Sequence, residues 1–151
     1  MKRILAITAP FFLTTPAFSE DILYLKCEVT TNLLISNLAT SKTVEDRTIE
    51  DISILKIDLK GSTAHDTRSE QAIDIVIEKK TVLIVQKIDD DEIRLDDNGS
   101  LHLIPPYSFS GTGEAVYKSK NRKANYTYQG SCSEADASIF NKSLDQQNLY
   151  H

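Results

Sequence analysis

The sequence predicts an all-β fold: a small antiparallel barrel or sandwich, closed by a disulfide and followed by a short C-terminal helix. Three observations lead there. Apolar residues recur at every second position in several segments, the period of a half-buried strand. These segments are short and separated by polar, turn-like stretches, which favours antiparallel pairing over βαβ units. Two cysteines, Cys27 and Cys132, lie near opposite ends of the chain. A bridge between them would tie the first strand to the last, and those strands are neighbours in a closed up-and-down barrel. The barrel is therefore the preferred form.

The N-terminus is expected to be a secretory leader. Lys2 and Arg3 form a cationic head, Ile4 to Phe12 are apolar, and Ala17-Phe18-Ser19 places small residues three and one before Glu20. That three-part layout is a signal peptide with cleavage between Ser19 and Glu20. Its apolar part is shorter than the roughly 20 residues a membrane-spanning helix needs, and Pro10 interrupts it. The expected organisation is a leader over 1–19 and a single β domain over 20–151, exported to the bacterial periplasm or the extracellular space.

The 151 residues carry 17 Lys+Arg against 22 Asp+Glu, a formal charge of -5. Cleavage would remove Lys2 and Arg3 and no acid, leaving 15 against 22, or -7. A chain this acidic lacks the broad basic footprint of nucleic-acid binding. Residues 20–151 hold 14 Ile, 13 Leu and six Val but only Phe109 and Phe140 as phenylalanines, so the core must be aliphatic. After the leader, no apolar run reaches membrane-spanning length.

Leu23, Leu25, Cys27 and Val29 alternate with Tyr24, Lys26 and Glu28, which predicts the first strand. In the next apolar set, Ile52 and Ile54 differ in parity from Leu55, Ile57 and Leu59, predicting a β-bulge at 54/55. Residues 32–49 and 61–71 lack periodicity and are expected to be polar connections. A two-residue turn at Lys79-Lys80 would set Ile77 against Val82 and Ile75 against Ile84. A three-residue loop, Asp97-Asn98-Gly99 with Gly99 left-handed, would pair Leu95 with Leu101, Ile93 with Leu103 and Arg94 with His102. Ser110 to Gly113 is expected to be a flexible turn after Pro105-Pro106. Segments 114–118 and 124–130 form the last hairpin around a polar tip. Ser133 and Asp136 fit a capping box opening a helix with Ala137, Phe140 and Leu144 on one face.

In an exported protein a lone cysteine pair is first a structural disulfide. No C-x-x-C motif suggests a redox pair, and Lys26 stands where a lipoprotein signal requires a small residue before Cys27.

Candidate chemistry is sparse. Asp89 to Glu92 followed by Asp96-Asp97-Asn98-Gly99 invites a calcium loop, but placing Gly99 at its sixth position puts Arg94 first and Pro105 twelfth. His65, His102 and His151 lack the convergent spacing of a zinc site and are expected at the surface. No serine has nucleophile-elbow glycines around it, and no glycine pattern cradles phosphate. No catalytic, cofactor or metal residue is assigned. The one unusual cluster is Lys118, Lys120, Arg122 and Lys123, four cations flanked by Tyr117, Tyr126 and Tyr128. Two readings stand for it: a grip on an anionic envelope component or acidic protein, or a solubilising tip that discourages edge pairing. Tyrosines sharing the parity of Cys132 would point to the core.

Tyr24-Leu25-Lys26-Cys27 near the start and Gly130-Ser131-Cys132 near the end, with strands between, resemble the layout of the periplasmic C-type lysozyme inhibitors. The resemblance implies a small disulfide-closed barrel that plugs an enzyme cleft with its loops. That family has a Ser-Gly loop followed by a Lys-Gly loop; here Lys60-Gly61 precedes Ser110-Gly111, so no functional residue carries over. The leading expectation is an exported, non-catalytic binding domain of the cell envelope. The alternatives are a hydrolase inhibitor acting through 60–70 or 105–113, a structural envelope subunit, and a hydrolase whose residues converge only on folding.

Overall fold

The computed structural model describes residues 21–69 and 71–148; the expected leader and the Ser19–Glu20 cleavage site lie outside the described residues. Nine antiparallel strands form one sheet: β1 (Ile22–Asn37), β2 (Thr43–Asp58), β3 (Thr63–Asp66), β4 (Ile73–Asp74), β5 (Val76–Glu78), β6 (Thr81–Asp89), β7 (Ile93–His102), β8 (Tyr107–Tyr117) and β9 (Arg122–Glu134). Their order is β4-β3-β2-β1-β9-β8-β7-β6-β5. First and last long strands are neighbours, and Cys27 lies directly opposite Cys132, to which it is disulfide-bonded. The fold is a nearly closed all-β barrel.

Closure depends on one short segment. β4 forms one edge of the sheet and β5 the other, yet they are successive pieces of the same stretch of chain. Buried Ile75 lies between them, and its N–H donates to the Ser62 carbonyl at 2.9 Å. That closure reaches only part-way up the barrel. β3 pairs with β2 through Leu55–Asp58 alone, and β5 pairs with β6 through Thr81–Leu83 alone. Residues 43–54 of β2 and 84–89 of β6 therefore have a strand on one side only, and the barrel opens between them.

The registers place odd positions of β1, β2, β7 and β8 on the same face as even positions of β6 and β9. At the disulfide end this face is a filled aliphatic core of Leu25, Cys27, Ile57, Val82, Leu101, Leu103, Tyr107 and Cys132. Each of these side chains is 8% exposed or less. Burying a Leu, Ile or Val side chain contributes about 1.5–3 kcal/mol against leaving it in water.

The helix α1 (Ala137–Asn148) packs through Phe140, whose ring lies 5.8 Å from Tyr24 and 5.4 Å from His65, on the outer face of β1 and β3. Asp136 is its N-cap, accepting from the N–H groups of Ser138 at 2.8 Å and Ile139 at 3.1 Å. The Ser138 hydroxyl also bonds this carboxylate, and these donors hold its pKa below the ordinary range. The expected capping box is thus displaced: Ser133 belongs to β9, and the cap falls three residues later.

Other expectations are corrected by register. The bulge expected at 54/55 is absent; β1 and β2 pair regularly from Ile22–Asp58 to Ile35–Glu45, and the one irregularity falls at Ile35/Ser36. Ile52 and Ile54 therefore lie on the outer face, and Ile52 is 50% exposed. Residues 32–49 are mostly the far halves of β1 and β2, and 61–71 include β3. The Lys79-Lys80 turn does set Ile77 against Val82, with Lys79 at positive φ, but Ile75 leaves β6 to bond Ser62. There is no Asp97-Asn98-Gly99 turn. β7 runs straight through it, pairing Gly99 with Ile84 and Gly111, Leu95 with Ala115 and Arg94 with Asp89. Ser110 to Gly113 is strand as well.

Candidate functional site

Glycine on one strand opposite an aromatic ring on the next shapes the open half of the barrel. Tyr128 pairs with Gly111, which pairs with Gly99; Tyr126 pairs with Gly113, which pairs with Asp97. A Cβ on Gly99 or Gly111 would collide with the Tyr128 ring, and one on Gly113 with the Tyr126 ring. Both rings therefore lie flat across neighbouring strands, where any larger residue would lift them. Phe109 lies likewise over Gly130. Ring centroids are 6.0 Å apart for Phe109–Tyr128 and 6.3 Å for Tyr126–Tyr128, the latter pair 24° from parallel.

Above this aromatic surface is a cavity of about 680 Å³, within the size range of small-molecule sites. Val29, Leu55, Ile57, Ile73 and Ile84 supply its aliphatic walls, and both open edges reach it, through Ser53 of β2 and Gln86 of β6. A polar cluster stands on one side. Arg68 pairs with Asp66 at 2.6 Å and with Asp51 at 3.1 Å, while the buried Ser53 hydroxyl donates to Asp66 at 2.8 Å. The guanidinium is thus occupied by two carboxylates.

Asp97 is the opposite case. Its Oδ2 accepts from the Tyr128 hydroxyl at 3.4 Å, and the Tyr126 hydroxyl stands near the same carboxyl. Among the described residues its buried Oδ1 has no hydrogen-bond partner. Burial raises the Asp97 pKa, against the tyrosine hydrogen bonds that lower it. Burial and then the Asp97 charge push Tyr126 upward in turn, and Tyr128 shifts the same way.

Tyr107, in the closed core, donates to Glu134 and is pushed up to about 12, chiefly by burial and then by that bond. An unfolded tyrosine ionises near 10. Below that both states are protonated and this contribution is complete; as pH rises from 10 to 12 the unfolded chain releases its proton first and stability falls. Tyrosinate absorbance from Tyr107, Tyr126 and Tyr128 is expected to appear together with loss of β-sheet circular dichroism. Ionisation of these three in a chain still folded would contradict this.

The cationic cluster sits at the β8–β9 turn, beside the acidic β6–β7 turn. Lys118 pairs with Asp89 at 2.7 Å and also donates to the Asp90 carbonyl; Lys123 pairs with Glu114 at 2.6 Å. Lys120 lies 5.9 Å from the Tyr117 ring centre, and Arg122 is exposed. Tyr126 and Tyr128 belong to the cavity and not to this tip. In the acidic turn, Asp90 accepts from the N–H groups of Ile93 at 2.7 Å and Glu92 at 2.8 Å, which holds its pKa down. Among the described residues no three His, Cys, Asp or Glu converge as metal ligands.

His65 and His102 lie on separate strands, β3 and β7, and His151 lies outside the described residues. His65, on β3 rather than in a loop, contacts the Ser69 carbonyl through Nε2 at 3.1 Å. His102 is exposed at the end of β7, in a shallow outer depression with Glu28, Ser108, Ser110 and Ser131. Its Nδ1 lies 3.4 Å from Thr81 Oγ1, and among the described residues no serine hydrogen-bonds it. A wider depression of about 960 Å³ on the sheet is more open; Leu34 and Ile88 line it beside Asn32, Asn98 and Thr112, and the Arg94–Glu114 pair crosses it.

No family model, curated protein or solved structure matches this chain.

Proposed function

We propose that this chain is an exported, non-catalytic binding domain of the cell envelope, and that its ligand site is the open half of the barrel. The observation that carries this reading is the contrast between the two halves. One end is disulfide-tied and filled with aliphatic side chains. The other keeps about 680 Å³ of space over three aromatic rings that four glycines accommodate. Four strand positions without side chains cost packing and strand propensity, and what they produce is an aromatic-faced cavity. The disulfide supports an oxidising compartment, where such bonds persist.

The test is fluorescence of the neutral dye N-phenyl-1-naphthylamine with the cleaved, oxidised protein. Binding in the micromolar range is expected. Gln86→Trp, which fills the cavity mouth from β6, is expected to weaken it at least about tenfold, since each 1.4 kcal/mol of lost contact is tenfold. Absence of dye binding, or equal binding by Gln86→Trp, would remove the barrel interior as the site.

A further inference from the structure

The lining of this cavity points to the charge of what it holds. We infer that the open half of the barrel takes an organic cation, an ammonium group on a small apolar body, with Asp97 as its counter-charge and Tyr126, Tyr128 and Phe109 as its aromatic bed. This inference rests on the barrel-mouth site proposed above.

The charged groups among the cavity's lining residues are Asp66, Arg68 and Asp97. Arg68 is already held by Asp66 and by Asp51 just beyond the cavity lining. An anionic ligand would have to displace those carboxylates to reach it. Among the described residues Asp97 has no cationic partner, and one of its oxygens is buried with no donor. A buried acceptor left this way is costly unless a donor arrives, and an ammonium N–H brings both the donor and the missing charge.

The aromatic rings select in the same direction. A ring carries its negative quadrupole on its faces, so a cation above it is attracted. Tyr126 and Tyr128 rest on glycine backbone, which leaves the opposite face of each ring toward the cavity. Burial beside these rings also raises the pKa of Asp97, an electrostatic cost that a bound cation would relieve. A bare metal ion fits less well, because no three ligating side chains converge among the described residues, whereas an apolar body matches the Val29, Leu55 and Ile84 walls.

The test compares three probes of one size, benzylammonium, benzyl alcohol and benzoate, by NMR titration and by competition with the neutral dye. Benzylammonium is expected to bind at least about tenfold more tightly than benzyl alcohol, with benzoate weakest. Asp97→Asn is expected to shrink that preference to about twofold or less, with the parent's β-sheet circular dichroism kept as the sign that the barrel is folded. If the dye binds but the three probes bind alike, or Asp97→Asn keeps the preference, the cation assignment is overturned and the binding site stands. If neither dye nor probes bind, the site itself falls with it.

Discussion

Breaking the Cys27–Cys132 bridge is expected to cost about 3–5 kcal/mol of stability, the largest loss from any single bond in this fold. The cysteines are 105 residues apart, so the bridge closes most of the chain into one loop. In the chain-entropy account a loop of about 100 residues restricts the unfolded state by up to about 4.7 kcal/mol. In the folded state little changes: both side chains face the core, Cys27 fully buried and Cys132 8% exposed, and β1 and β9 remain paired over thirteen positions. The loss should therefore appear as a lower urea midpoint, by about 2 M for a typical small-protein slope, and not as a different folded spectrum. A Cys27→Ala/Cys132→Ala variant separates this from reductant chemistry. A midpoint within about 0.3 M of the oxidised protein would show that the bridge constrains nothing the sheet does not already hold.

That loss would also bear on the site. The closed half has a bridge, a filled core and pairing on both sides of most strands, whereas residues 43–54 and 84–89 each have a free edge. Such edges invite pairing with other chains unless charge interrupts them. Here Glu45, Arg47, Glu50 and Asp51 stand along one edge, and Lys87 and Asp89 along the other. The bridge joins β1 and β9 in the middle of the sheet order, away from the opening between β2 and β6.

How much was legible in the sequence followed from where side chains are buried. The fold class and the strand from Leu23 to Val29 showed in period-two alternation, because at the closed end one face is apolar, and the disulfide showed in the lone cysteine pair. The far halves of β1 and β2 did not, because their inner positions include Thr31, Glu45 and Arg47, which face an opening rather than a core. Gly99 misled for a related reason. Asn98-Gly99 is the strongest local turn signal, but Gly99 is needed in mid-strand as space for the Tyr128 ring. Asn98 and Asp96 then lie on the outer face, with the Asn98 amide donating to Asp96 at 2.9 Å. The cavity residues left one recoverable trace: Gly111-Thr112-Gly113 and Tyr126-Thr127-Tyr128 share a two-residue period, so glycines face tyrosines once the last hairpin is paired. Asp97 and Arg68 left none, since a lone acid and a lone base among so many carry no period.

Replacing Gly130 by alanine is expected to cost about 3 kcal/mol, at the upper end of overpacking penalties, where the same change at a permissive strand site would stabilise by about 0.4–1 kcal/mol through the unfolded chain. The reason is the nature of the obstacle. A Cβ at Gly130 would strike the Glu28 carbonyl oxygen as well as the Phe109 ring. Phe109 can turn; a carbonyl fixed in the β1–β9 ladder cannot, and the two strands are pinned two residues away by Cys27–Cys132. Relief requires the strands to part beside the core. Gly113→Ala supplies the contrast, because all three of its nearest atoms belong to the Tyr126 side chain. That ring can swing into the cavity, so Gly113→Ala should cost on the order of 1 kcal/mol and lose dye binding. Chemical denaturation of both variants tests the pair. A Gly130→Ala protein within about 0.5 kcal/mol of the parent, the range of ordinary surface changes, would mean that β1 and β9 are free to separate there and that the closed half is looser than its packing implies.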